Sequence, residues 1–242
     1  MLEQFRLDAL EHRHAMANDQ MLARLSKEWM NTSFKHKYSY NFSWLGQPVM
    51  KYPQDLMMLQ MLIHNIRPDV VIETGVAHGG GLLFLASVLK MVSPEGRVIG
   101  IEKGLLSSTR DAIAGGPLAS NIELIEGDCV APETIAQIKS KVRAEDRVLV
   151  CLDSDHSKDH VLKELEFYAP MVSLGSFVVV FDTFIEYLDH PIENRPFGPG
   201  NSPMLAVEEF LDDNEEFKSE NSVDAMLLLS EAPLGYLRRV KG

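Results

Sequence analysis

The sequence predicts an α/β protein: a doubly wound, mostly parallel sheet with an N-terminal helical extension. Three observations carry this. Short, continuous apolar runs alternate with amphipathic helical stretches from Asp69 onward. The runs lack the polar alternation of a half-exposed strand, as expected of parallel strands buried on both faces. A glycine-rich turn joins the first run to its helix, "VIETGVAHGGG". Strand–helix repetition of this kind implies right-handed crossovers and helices on both faces.

In chain order, residues 1 to about 30 read as one helix, with Leu7, Leu10, Met21, Leu22, Leu25 and Trp29 at roughly helical spacing. "SFKHKYSYNFSWLGQP" is aromatic and polar and is expected to be irregular or a lid. "YPQDLMMLQMLIHNIRP" is a helix, with Pro53 in its first turn, Asp55 near its positive end and Pro68 beyond it. The strands are "DVVIE", "RVIGIE", "NIELIEGD", "DRVLVCLD" and "GSFVVVFD". The helices between them are "GGGLLFLASVLKMV", a segment near Ser107–Ala114, "PETIAQIKSKV" and "HSKDHVLKELEFYAP". "TFIEYLDHPIENRPFGPGNSP" is a long Pro- and Gly-rich loop, a form uncommon unless it binds or covers something. "MLAVEEFLDD" is a helix, and "FKSEN" and "AMLLLSEAPLGYLRRV" read as strands with a turn near Pro233–Gly235. Residues 1–66 are therefore expected to form an extension packed on a core of residues 67–242.

Composition narrows the function. There are 23 Lys and Arg against 35 Asp and Glu, a formal net charge of −12, which argues against a general nucleic-acid or anionic-membrane binder. The charged N-terminus has no secretory signal pattern, and no run suits a membrane span. Two cysteines, Cys129 and Cys151, make no disulfide framework, and a reducing cytoplasmic setting is expected. The N-terminal helix is expected to pack on its own domain or on a second copy of the chain, a homo-oligomer.

In doubly wound sheets, ligands bind beyond the carboxyl ends of the strands, where the order reverses. The first strand ends at Glu73, and the turn reads Glu73-x-Gly75-x-Ala77-x-Gly79. Gly75 permits a sharp turn, and Ala77 and Gly79 leave room for a ligand near the backbone. This is not the G-x-G-x-x-G of a dinucleotide site. A carboxylate at position 73 would repel a pyrophosphate but attract the charged amino-acid portion of S-adenosylmethionine, and the pattern is that of the first motif of doubly wound methyltransferases. The plainer alternative is a strand-to-helix turn with a solvated acid. Glu102 ends the second strand, where a carboxylate can accept both ribose hydroxyls. Asp128 ends the third, on the adenine side. Three acids at three successive strand ends support a site for S-adenosylmethionine.

The fourth strand ends "LVCLDSDHS", and the fifth "VVVFDT". Asp153 and Asp182 close adjacent crossover units and could hold a hard cation such as Mg²⁺. Asp155 and His156 lie close by. Asp153 or Ser154 could instead cap the following helix. His156 is the candidate general base, because its ordinary pKa lies near neutrality. His156 and His160 are four apart and could share a helix face, but they do not make an H-E-x-x-H zinc pair.

The segments "YSYNFSWLGQPVMKYPQDL", "VIETGVAHGGG", "LDSDHSKDHVLKELEFYAPMVSLGSFVVVFDT" and "RPFGPGNSP" resemble the cephalosporin hydroxylase/rhamnosyl O-methyltransferase family, from about Phe34 to Val240. The resemblance implies a Rossmann-like class I methyltransferase fold that binds S-adenosylmethionine and Mg²⁺. It implies cofactor roles for Glu73, Gly75, Gly79, Glu102 and Asp128 and metal roles for Asp153 and Asp182. Where metal-binding relatives often carry a Glu before the last Asp, this chain has Phe181. No 2-His-1-carboxylate set supports a hydroxylase. The function implied is O-methylation of a hydroxyl on a sugar or glycosylated small molecule, with Asp153 and His156 as catalytic residues. An NAD-dependent oxidoreductase and a non-catalytic nucleoside-binding protein are the alternatives.

Overall fold

The computed structural model describes residues 1–242. Two helices open the chain, α1 (Leu2–Ala17) and α2 (Gln20–Lys35). The single helix expected here is broken at Asn18–Asp19, where the Asp19 side chain accepts the Leu22 amide at 3.0 Å and caps α2. A 3₁₀ turn (Tyr38–Asn41) and a two-strand hairpin, β1 (Ser43–Trp44) and β2 (Gln47–Pro48), replace the expected irregular segment. The hairpin docks on the helix of the glycine turn: Trp44 Nε1 donates to Ser87 Oγ at 3.0 Å, and its ring meets Phe84 edge-on.

Next come α3 (Pro53–Ile66), β3 (Val70–Thr74), α4 (Gly80–Val92), β4 (Arg97–Glu102), α5 (Ser107–Ala114), β5 (Ile122–Glu126) and α6 (Pro132–Lys141). The chain continues through β6 (Val148–Leu152), α7 (Lys158–Tyr168), β7 (Phe177–Val180), α8 (Pro203–Asp213), β8 (Phe217–Ser219), α9 (Asn221–Leu227) and β9 (Tyr236–Arg239). The seven-stranded sheet runs β5-β4-β3-β6-β7-β9-β8. Strands β3 to β7 are parallel, and β9 and β8 add antiparallel. The order reverses between β3 and β6, which makes the gap beyond their carboxyl ends the switch point.

One C-terminal expectation is corrected. Ala225–Leu227 belong to α9, not to a strand. A short apolar run fits a buried helix turn as well as a strand, so periodicity alone could not separate them.

The sheet is covered on both faces. One cluster joins α3 and α4 to one face through Leu59, Ile63, Leu82 and Leu85. The other packs α6, α7 and α8 on the opposite face through Ile138, Leu165, Tyr168 and Val207. A small third cluster, Met30, Tyr52, Phe184, Ile185 and Leu188, attaches the N-terminal extension to the segment after β7. Asn31 of α2 pins that segment, donating to Tyr187 O at 3.1 Å and accepting from the Asp189 amide at 3.0 Å. Asp55 does more than complement the start of α3. It is fully buried and accepts from Ser230 Oγ (2.6 Å), the Glu231 amide (3.0 Å) and Tyr236 OH (2.7 Å), which fixes α3 to the C-terminal segment.

Candidate active site

The rim is laid out by backbone bonds that continue the parallel ladder. The Gly75 amide donates to Ile101 O, the Asp153 amide to Thr74 O, and the Phe181 amide to Leu152 O, at 2.9, 3.0 and 3.0 Å. Glu102, Gly75, Asp153 and Asp182 are thereby held side by side beyond the strands.

The glycines of the turn make room chiefly for protein. Gly75 has φ +81°, and a Cβ there would lie 2.0 Å from the Asp153 carbonyl oxygen. Gly75 therefore lets the turn after β3 close against the end of β6, the pair of strands that flank the switch point. A Cβ at Gly80 would strike the Pro48 carbonyl at 2.2 Å, and one at Gly81 would lie 2.8 Å from Glu73 Oε1. At Gly79, where ligand approach is expected, the space is bounded by Thr109 and Ile113 at 3.0 and 3.3 Å. Ala77 adopts φ +46°, and its carbonyl accepts from Thr109 Oγ1 at 2.9 Å.

Glu102 faces this turn. Its Oε2 accepts from both the Val76 and Ala77 amides at 3.0 Å, and Oε1 accepts from the Gly104 amide at 3.2 Å. The carboxylate thus sets the shape of the loop as well as lying beside it. Asp128 pairs with Lys103 at 2.8 Å and accepts from the Val130 amide. The Lys103 hydrogen bond holds its carboxyl below the usual range.

Glu73 is not at the open surface. It is 2% exposed, lies against the first turn of α4, and its Oε2 has no hydrogen-bond partner. Burial pushes its carboxyl up to about 8, against the pull of Lys51.

Lys51 is the residue that sequence reasoning missed. Its ammonium is fully buried, 2.7 Å from Asp153 Oδ2, 3.9 Å from Glu231 Oε1 and 3.4 Å from the centroid of the Phe181 ring. Burial alone would lower its pKa, but Asp153, Glu231 and Glu73 together raise it, so it stays charged. Phe181 therefore has a use of its own as the face beneath this cation. The only sequence signal was a lysine in an otherwise uncharged stretch, "PVMKYP".

Asp153, His156 and Asp182 come together as expected, with ligand atoms within 4.8 Å of one another. His156 Nε2 is 3.2 Å from Asp182 Oδ2. Asp182 leaves β7 at φ +57°, and this left-handed residue turns the chain into the 3₁₀ segment Thr183–Tyr187. Burial raises the Asp182 pKa, and the Asp153 charge adds to the shift while His156 opposes it. Two carboxylates forced together beside an imidazole are a donor set that a divalent cation fits, oxygen ligands first. Asp155 does not join them. It is exposed and accepts from Ser157 N and Oγ at 2.8 and 2.6 Å, so it, rather than Asp153, prepares the start of α7. His160 is also elsewhere, beside Cys129 and Glu164.

The loop after β7 reaches the same spot. The Phe197 ring meets His156 edge-on at 5.0 Å. The loop is held by Glu186, which accepts from the Gly200 amide and Ser202 Oγ, and by Asn201, whose Oδ1 accepts from the Lys158 amide at 3.0 Å.

The chain is similar to known proteins in sequence and in fold. A rhamnosyl O-methyltransferase of Mycobacterium tuberculosis is 28% identical over 214 residues, covering 84% of this chain and 83% of the relative. One from Mycobacterium leprae is 31% identical over 182 residues, covering 72% and 75%. An apo structure of CmcI superposes with a TM-score of 0.59 at 19% identity, covering 84% of this chain and 78% of that one. An O-methyltransferase from Bacillus cereus in complex with SAH gives 0.54 at 16% identity, covering 82% of each chain. At these identities the structures show the fold, a class I methyltransferase sheet. With the family model matching residues 36–240, the chain belongs to the rhamnosyl O-methyltransferase/CmcI family.

Proposed function

We propose that this protein is an S-adenosylmethionine-dependent O-methyltransferase that acts on a hydroxyl of a sugar or glycosylated small molecule, assisted by Mg²⁺. The carrying observation is the Asp153–His156–Asp182 cluster standing at the switch point next to the Glu102-braced glycine turn. CmcI has been solved with Mg and SAM, which supports the same pair of ligands here.

Glu102 and the turn Gly75–Gly79 receive the nucleoside, with Asp128 on the adenine side. Glu73, expected from the sequence to attract the cationic amino-acid portion, is buried beneath the turn and largely protonated near neutrality, so it packs against the first turn of α4 and shapes the turn rather than lending it charge. S-adenosylmethionine supplies a methyl group on a sulfonium, ready for in-line attack by an oxygen. Asp153 and Asp182 would hold Mg²⁺, which supplies a Lewis acid that lowers the pKa of a hydroxyl. His156 takes the hydroxyl proton at Nδ1, the ring nitrogen that does not face Asp182, and the Asp182 carboxylate stabilises the resulting imidazolium through Nε2–H. Lys51 fixes Asp153 in place through their 2.7 Å ion pair. Phe197 covers the pocket and excludes water. Much of the rate then comes from holding both reactants in attack geometry.

The exposed apolar residues of the extension, Leu7, Leu10, Met21 and Leu25, support self-association as a homo-oligomer. No helix is long and apolar enough to cross a membrane. The two free, buried cysteines support a reducing compartment such as the cytoplasm.

The test is titration calorimetry with S-adenosylhomocysteine and with NAD, followed by methyl transfer to a panel of rhamnosylated and other glycosylated acceptors read by mass spectrometry. Binding of S-adenosylhomocysteine and one added methyl per acceptor are expected. Binding of NAD in place of S-adenosylhomocysteine overturns the reading.

A further inference from the structure

One residue beyond Asp153 the chain contributes to a second cluster of different chemistry. Ser154 Oγ faces Cys129, His160 and Glu164. Cys129 Sγ lies 3.2 Å from His160 Nε2 and 3.3 Å from Glu164 Oε1, and His160 Nε2 lies 3.9 Å from Glu164 Oε2. All three ligand atoms fall within 4.8 Å of one another. His160 and Glu164 are four apart on α7 and face the same way, while Cys129 enters from the loop after β5. None of these residues has a part in the methyl-transfer chemistry proposed above.

We propose that Cys129, His160 and Glu164 form a binding site for a borderline-soft divalent cation such as Zn²⁺, separate from the Asp153–Asp182 rim. The donor set is a thiol, an imidazole and a carboxylate, the three ligand types zinc accepts, and ligands about 2.0–2.3 Å from a tetrahedral ion lie about 3.3–3.8 Å from one another. The observed spacings need only small shifts to meet that. An independent observation points the same way. Glu164 is completely buried, and its Oε2 makes no hydrogen bond of proper geometry, although the Thr74 hydroxyl is near. A buried carboxylate oxygen with no donor is costly, and a cation is one way to satisfy it. Ser154 Oγ stands 3.1 Å from His160 Nε2 and 2.8 Å from Glu164 Oε1 and is positioned to give or release the fourth ligand. His160 is partly exposed and offers a way in.

The site is prepared from behind. Tyr168 OH donates to the Cys129 carbonyl at 2.8 Å and holds the cysteine backbone against α7. On binding, the cation replaces the Cys129 thiol proton, which leaves to solvent, so thiolate and ion form one bond as the S–H bond breaks. An ion here would tie the loop that carries Asp128 to α7. The hard rim and the soft cluster would choose different metals by ligand type, oxygen against sulfur and nitrogen.

Cobalt provides the test, because thiolate coordination gives it a near-ultraviolet charge-transfer band that oxygen and nitrogen ligands do not. The full chain, stripped with a chelator and kept reduced, is titrated with Co²⁺ in excess Mg²⁺. A saturable charge-transfer band at one equivalent is expected, bleached by Zn²⁺, lost in Cys129→Ser and kept in Cys151→Ala. His160→Gln, at a partly exposed position, should weaken cobalt binding at least tenfold with an unchanged circular dichroism spectrum. Absence of the band in the wild-type chain, or its persistence in Cys129→Ser, overturns the proposal and leaves the cluster a hydrogen-bonded network only.

Discussion

Lys51 Nζ and Asp153 Oδ2 are 2.7 Å apart, and the two residues are 102 positions apart in the chain. The pair joins the segment before α3 to the end of β6. It also places one fixed cation among Asp153, Glu231 and Glu73. Lys51→Met would keep most of the volume and remove the charge, leaving those acids without their counter-ion. Breaking a buried pair from one side costs about 3–5 kcal/mol. Urea unfolding should show a loss of that order, and Mg²⁺ should restore part of it by taking over the neutralisation of Asp153. A midpoint equal to the wild type would mean that Lys51 is not needed as the counter-ion.

Glu73 predicts the sign of a pH effect. Burial raises its folded pKa to about 8, above the ordinary value of 4.5. The folded chain therefore holds a proton that the unfolded chain releases above that ordinary value. This contribution to stability is present at low pH and is lost as pH rises between the two values. At about 1.4 kcal/mol per unit, a few kcal/mol are involved. Glu73→Gln should flatten this slope and be more stable than wild type above pH 8, by denaturation across a pH series. A wild-type slope retained in the variant would assign it to another group.

Glu102 connects the glycine turn to the proposed ribose contacts. Glu102→Ala removes the acceptor of the Val76 and Ala77 amides as well as that of the ribose hydroxyls. Charge-assisted bonds contribute about 1.5–3 kcal/mol each, so S-adenosylhomocysteine affinity should fall at least tenfold by calorimetry. Glu102→Gln keeps one acceptor oxygen and should fall less. Unchanged affinity in the alanine variant would remove Glu102 from the site.

Two aspartates allow metal and packing roles to be separated. Chelation by EDTA should stop turnover and Mg²⁺ should restore it. Asp182→Asn should lose Mg²⁺-dependent turnover with little loss of stability, because His156 is its only charged partner within bonding distance. Asp153→Asn should lose both, because it also breaks the bond to Lys51. Full turnover in EDTA would leave His156 as the sole activating group.

The sheet was legible because the inner parallel strands β3, β4, β6 and β7 are short, largely apolar runs ended by turns, and burial on both faces demands that composition; edge strand β5, with Glu123 and Glu126, is only half-buried. Asp153 and Asp182 were legible because strand ends at a switch point must share a rim. Lys51 was not, because its partners are distant in sequence and a lone lysine normally lies in water. Nor could spacing show that Gly75 and Gly80 are filled by the Asp153 and Pro48 backbones, since a glycine records that space is needed but not by what. His156 and His160 seemed to share a helix face, yet His156 precedes α7 and only His160 lies on it. A helix that starts two residues later than expected was enough to send the two side chains to different clusters.

Phe197 tests the loop after β7. Its ring packs edge-on against His156, with centroids 5.0 Å apart, and carries the Arg195 guanidinium 5.8 Å from its centroid. The loop itself is fastened by Glu186 and Asn201 rather than by Phe197, so truncation of the ring should leave the loop in place. Phe197→Ala should therefore spare S-adenosylhomocysteine binding. It should raise the acceptor KM and lower kcat, because water then reaches His156 and the acceptor loses one wall of its pocket. Asn201→Ala releases the loop from the start of α7 and should show the same pattern more weakly. If Phe197→Ala instead weakens S-adenosylhomocysteine binding as much as it lowers turnover, the loop belongs to the cofactor pocket and not to the acceptor side.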